Sequence, residues 1–234
     1  MGGGDAGVDQ MGGAKEASLP QVDRMRNDTS LTLFNYWNGL RGARKAPHRV
    51  EIEPARIAGI LPEAFILEKV DFETYRFRIA GTKLCEQFGR ELRGRNFLDH
   101  WDEEDRFTLR RRLAAVAEQG AAGLFEFEAF GSGQEPVLFE AVILPLVHSN
   151  NAIDRFLGTI STKEELKWPG MGHFDRRHLL RHELIWPNGL PPQPQVLDSR
   201  PLPDIQDARL VRINHRSFRV YEGGRSRQAS QTKG

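Results

Sequence analysis

Apolar positions change period several times along the 234 residues. Leu33, Phe34, Trp37 and Leu40 recur at the three-and-four spacing of a helix. Asn27, Asp28, Thr29 and Ser30 precede them as N-cap candidates and Gly42 follows as a stop, so a helix is predicted from Thr29 to Arg41. Pro54 opens a helical turn that Pro62 closes. Ala64 to Val70 is a compact apolar run, predicted as a strand. From Tyr75 to Ile79 the chain alternates, with Tyr75, Phe77 and Ile79 on one face and Arg76 and Arg78 on the other. Joined through Asp71 to Thr74, the two segments form a hairpin.

The period then lengthens again. A short helical segment is predicted over Thr82 to Phe88, ended at Gly89. Turns follow at Arg93 to Asn96 and Phe97 to Trp101, and a true helix runs from Asp102 to Gln119, stopped by Gly120. Leu109, Leu113 and Val116 form its buried stripe. Three strands follow: Leu124–Phe130, Val137–Leu144 and Asp154–Ser161. This order predicts an α+β domain, a five-stranded antiparallel sheet with helices over one face. Beyond Lys167 the pattern fades, and six of the 13 prolines fall between Pro187 and Pro203. A small hairpin is expected within Arg209 to Gly224. The expected organisation is a disordered Gly-rich leader (1–26), a domain with its leading helix (27–165), and a Pro-rich, basic, partly disordered extension (166–234).

Composition excludes more than it assigns. A net charge of +1 gives no whole-molecule field for nucleic acid or an acidic membrane. The glycine-rich start has no apolar run to serve as a signal peptide, and no stretch approaches the length of a membrane span, so a cytoplasmic protein without membrane insertion is expected. The one cysteine, Cys85, precludes an internal disulfide and a multi-cysteine zinc site, and is expected to be a buried small apolar side chain. His173, His178 and His182 read as a solvated basic segment, and Arg110, Arg111 and Arg112 as a solvated helix face. Asp102, Glu103, Glu104 and Asp105 suit the positive end of a helix dipole. No phosphate loop, nucleophile elbow or zinc motif is present, so no enzyme active site is expected. Residues 204–234 hold seven Arg or Lys against three acids, but without a helix-turn-helix or aromatic RNA motif a nucleic-acid role is disfavoured.

The block from Arg78 to Asp105 resembles the helical wall of a PAS domain. Leu92, Gly94, Arg95 and Phe97 stand in a "Leu-x-Gly-Arg-x-Phe" pattern, followed by Glu104-Asp105 at the start of the long helix. Tyr36 to Gly42 and Phe77 to Arg90 are similar to a bacterial subgroup of stand-alone single-PAS proteins without an output domain. The resemblance covers about residues 30–163. It implies an apolar space between sheet and helices, with Phe77, Ile79, Phe88, Phe97, Trp101, Phe127 and Phe139 as candidate lining, whether as packed core or around a small-molecule ligand. Flavin-adduct members carry a cysteine after the Gly-Arg-Asn that here precedes Phe97, and haem members commonly place a histidine on the long helix, which has none. Flavin and haem are therefore disfavoured and no cofactor is expected; His100 is expected to be a surface or capping residue. The resemblance further implies a signalling sensor or adaptor acting on a partner protein, such as a histidine kinase, or a homodimer. Leu33, Phe34, Trp37 and Leu40 are the candidate partner or dimer interface, on a helix expected either to cap its own sheet or to pair with its counterpart. A ligand-free interaction scaffold is the alternative.

Overall fold

A computed structural model describes residues 24–131, 135–163, 173–189, 209–213 and 216–220. Helix α1 spans Asp28–Arg41, and a 3-10 segment at Pro54–Glu63 leads into β1 (Ala64–Lys69) and β2 (Tyr75–Ala80). Next come α2 (Thr82–Gln87), a 3-10 turn at Phe97–His100, and α3 (Glu103–Gln119). Strands β3 (Ala122–Gly131), β4 (Val137–Val147), β5 (Ile153–Ser161) and β6 (Phe174–Ile185) follow. The α+β expectation holds. The long helix is capped as its ends predict: Asp102 accepts the Asp105 amide at 2.9 Å, and Gly120 takes φ +68°.

The sheet has six strands, not five, in the order β2-β1-β5-β4-β3-β6, every neighbouring pair antiparallel. The sixth is Phe174–Ile185, which the sequence had placed in a solvated extension. Two irregularities against β3 hide its alternation: Gly131 pairs Phe174 while Phe130 pairs Arg176, and Phe127 pairs Leu179 while Glu126 pairs Arg181. Asp175 and Leu180 are the surplus residues. A separate unit spans residues 193–234, in which Arg209–Ile213 (β7) and Arg216–Val220 (β8) form the expected antiparallel hairpin. The rest of the leader and extension expectations fall outside the described residues.

Helices cover both faces of the sheet rather than one. On the first face, α2, α3 and the 3-10 turn enclose Phe65, Tyr75, Phe77, Phe125, Phe127, Phe139 and Phe156. On the second, α1 lies across β4 and β5 and covers Ile66, Leu124, Val142, Leu144, Leu146 and Leu157. Leu33, Phe34 and Trp37 are buried there, with Leu40 packed at the margin. Of the two placements expected for this helix, capping of its own sheet is the one observed, so the apolar surface of these four residues is largely covered within the chain rather than offered to a partner. The N-terminus of α1 is held by Glu140 of β4, a buried carboxylate that accepts the Arg26 amide at 2.8 Å and the Asn27 amide at 3.1 Å.

Ile79 is also corrected. Leu67 pairs Phe77 but Ile66 pairs Ile79, so the chain bulges at Arg78 and the alternation reverses. Ile79 is thereby turned off the inner face and is 51% exposed. Cys85 is half-buried rather than buried, packed against the rim of the first-face core.

Candidate functional site

Six of the seven candidate lining residues meet inside the first face. Phe97 lies 5.9 Å from Phe77 and 6.0 Å from Trp101, ring centre to ring centre. Trp101 meets Phe127 edge-on at 5.0 Å, Phe127 stacks on Phe139 at 5.5 Å, and Phe88 lies 6.2 Å from Phe139. These are the offset and edge-to-face separations that aromatic quadrupoles favour. The residues therefore form a packed aromatic core. Phe174 of β6 closes it, edge-on to Phe139 at 5.4 Å.

A charged side chain enters this core, and periodicity gives no sign of it. Because β6 bulges at Asp175, Arg177 lies opposite Ala129 and points inward, where it is only 5% exposed. Its guanidinium carbon sits 3.9 Å over the centre of the Phe88 ring and 5.7 Å from that of Trp101. Its Nε and Nη1 have no hydrogen-bond partner among the described residues. Burial, reinforced by the Arg90 guanidinium, holds Arg177 down to about 9. Stacking on aromatic faces returns roughly 0.5–2 kcal/mol, whereas moving an ion out of water costs several kcal/mol. Among the described residues, no hydrogen bond to Nε or Nη1 offsets that cost.

Arg177 borders a cleft of about 500 Å³ lined also by Asp99, Trp101, Asp102, Phe130, Asp175, Arg176 and His178. A backbone bridge between Trp101 and Arg177 joins its two walls. Ligand atoms of Asp102, Asp105 and His178 fall within 4.8 Å of one another. Both carboxylates already have structural duties. Asp102 caps α3, and Asp105 accepts the Leu179 amide at 2.8 Å, with His178 Nδ1 3.4 Å from the same oxygen. This cluster ties the start of α3 to β6.

The other histidines and arginines are also in the fold. Arg112 Nε donates to His182 Nδ1 at 3.0 Å; burial and then the Arg112 charge lower the His182 pKa. Gly89 permits the His173 ring to approach α2 closely. Arg110 bonds Glu73 at 2.8 Å and stacks on two exposed rings, Phe72 at 5.5 Å and Phe107 at 5.3 Å. Phe72 sits in the β1–β2 turn, where an aromatic contributes nothing to turn geometry, and that misplacement was its sequence signal. The side chain of His100 lies outside the described residues.

Among the described residues, no helix is long and apolar enough to cross a membrane. No curated protein matches the chain significantly. A family model described as PAS domain matches residues 25–161, a span that includes α1, both covered faces and strands β1 to β5 but ends before β6. That match covers more than half of the sequence, and the chain belongs to the PAS domain family.

Proposed function

We infer that this PAS domain serves signalling, in the general sensory and interaction role of its family. We propose that it acts by docking onto another protein chain, with a small ligand adjusting that contact. The observation that carries the docking reading is the pair Phe72 and Phe107, 66% and 50% exposed on adjoining elements and bridged by Arg110. Aromatic and arginine side chains dominate the energetics of protein interfaces, and these two exposed phenylalanines are grouped around one arginine rather than scattered singly. This patch takes over the role expected of Leu33, Phe34, Trp37 and Leu40, which are covered by the sheet.

A photo-crosslinker placed at position 72, together with sedimentation of the purified protein, tests this reading. A homodimer weakened tenfold or more by Phe72→Ala with Phe107→Ala supports self-docking, the scale on which hot-spot truncation acts. A single crosslinked protein whose binding to the purified chain is weakened by the same substitutions supports docking to a different partner. A monomer with no specific crosslink, or binding indifferent to both substitutions, overturns the proposal.

A further inference from the structure

Arg177 is the least compensated charge in the described fold. Its side chain is almost fully buried, two of its three nitrogens lack partners, and the charge that acts on it from nearby is another cation, Arg90. A residue needed only to fill the space beside Phe88 would be apolar. Instead β6 spends a bulge at Asp175 to aim a guanidinium inward, at the edge of an open cleft. Such a fork matches a carboxylate in shape as well as charge. We propose that the cleft beside Trp101 binds a small carboxylate-bearing ligand, its carboxylate pairing with Arg177 over the face of Phe88.

The cleft walls narrow the class. Trp101 and Phe130 suit an apolar ligand body. Asp99, Asp102 and Asp175 line the same cleft and oppose a multiply charged anion. A monocarboxylate or a zwitterionic amino acid meets both conditions, and inorganic phosphate meets neither. The key residue lies on β6, beyond residues 25–161, so this binding chemistry is an addition of this chain to the matched domain. The inference gives a chemical class to the ligand of the reading above and rests on that reading only for its consequence. Carboxylate binding and docking through Phe72 are measured separately, so either can fail alone.

The test is calorimetric titration and thermal melting of the full chain with propionate, benzoate, L-leucine, benzylamine and inorganic phosphate. At least one of the three carboxylates is expected to bind saturably, with a dissociation constant on the order of 1 mM or tighter, while benzylamine and phosphate do not. Arg177→Lys, which keeps the charge and loses the fork, weakens binding on the order of tenfold, and Arg177→Met abolishes it. Without ligand, Arg177→Met melts at or above the wild-type temperature, because it removes an uncompensated buried charge. The proposal is overturned if none of the three carboxylates binds, if phosphate binds as tightly as they do, or if Arg177→Met still binds. It is equally overturned if Arg177→Met melts below wild type, which marks a structural arginine. Arg177→Lys is an independent check: unchanged carboxylate affinity in that variant also overturns the proposal.

Discussion

The Trp37 indole Nε1 donates to the Pro145 carbonyl oxygen at 2.8 Å, joining the middle of α1 to β4 across the second face of the sheet. Pro145 lies past the point where β3 can pair with β4, the last partners in register being Gly123 and Ile143. A proline is tolerated in this strand because no ladder donor is required at that position, and its carbonyl takes the indole in place of a missing strand. The helix is thus part of the domain's hydrogen-bond accounting as well as its apolar cover.

Trp37→Phe retains most of the burial and removes the donor, leaving a buried carbonyl unpaired. It is expected to lower stability by about 1–2 kcal/mol in urea unfolding. Trp37→Ala adds a cavity and is expected to cost about 3–5 kcal/mol. Both losses fall on folding of the single chain. If Trp37→Ala leaves stability unchanged and only weakens association, α1 is an interface helix after all.

Gly89 holds φ +62°, and a Cβ added there would lie 2.1 Å from Cγ of His173. Gly89→Ala therefore combines left-handed backbone strain with displacement of the residue that leads into β6. A loss of about 1–3 kcal/mol is expected in denaturant unfolding, with faster amide exchange at Phe174 and Arg177. Unchanged exchange in β6 would show that the His173 contact does not seat the strand.

Arg44 binds both carboxylate oxygens of Glu51, at 2.8 and 2.9 Å, and with the His48 amide holds the Glu51 carboxyl down to about 2, from an ordinary 4.5. A depressed carboxyl pKa stabilises the fold above the unfolded value of about 4.5, and that contribution is lost as pH falls through about 2. Carboxyl NMR titration should place the Glu51 midpoint far below that of an ordinary glutamate, and Arg44→Ala should return it upward. An unmoved midpoint in Arg44→Ala would assign the shift to the backbone amide alone.

Much of this architecture is legible in local pattern, because helix stripes, caps and hairpin alternation are set by neighbours in sequence. The limits of α3, Asp102 and Gly120, were readable for that reason. What escaped depends on bulges and on tertiary cover. One extra residue at Arg78 turned Ile79 outward, and surplus residues at Asp175 and Leu180 concealed β6, whose edge position also tolerates charge. The stripe of α1 shows that cover is needed but not what supplies it. The missed clue was β4, apolar without alternation from Ala141 to Val147, as strands buried on both faces are. Arg177 had no clue at all, since one arginine among Arg176, His178 and Arg181 looks solvated until the register is known.

Strand β6 provides the sharpest test of where this domain ends. Phe174 is buried edge-on against Phe139, Leu184 and Ile185 are buried at its far end, and the Leu179 amide is tied to Asp105 of α3. If residues 25–161 were sufficient, removing Phe174 would be nearly silent. As part of the core, Phe174→Ala is expected to cost about 3–5 kcal/mol, and Phe174→Leu less, because the leucine refills much of the space. A chain ended after Lys163 is expected to expose Phe127, Phe139 and Trp101, bind a hydrophobic dye and unfold at lower denaturant than the full protein. Equal midpoints for the truncated and full chains would make β6 an appendage and detach Arg177 from the core that gives its charge significance.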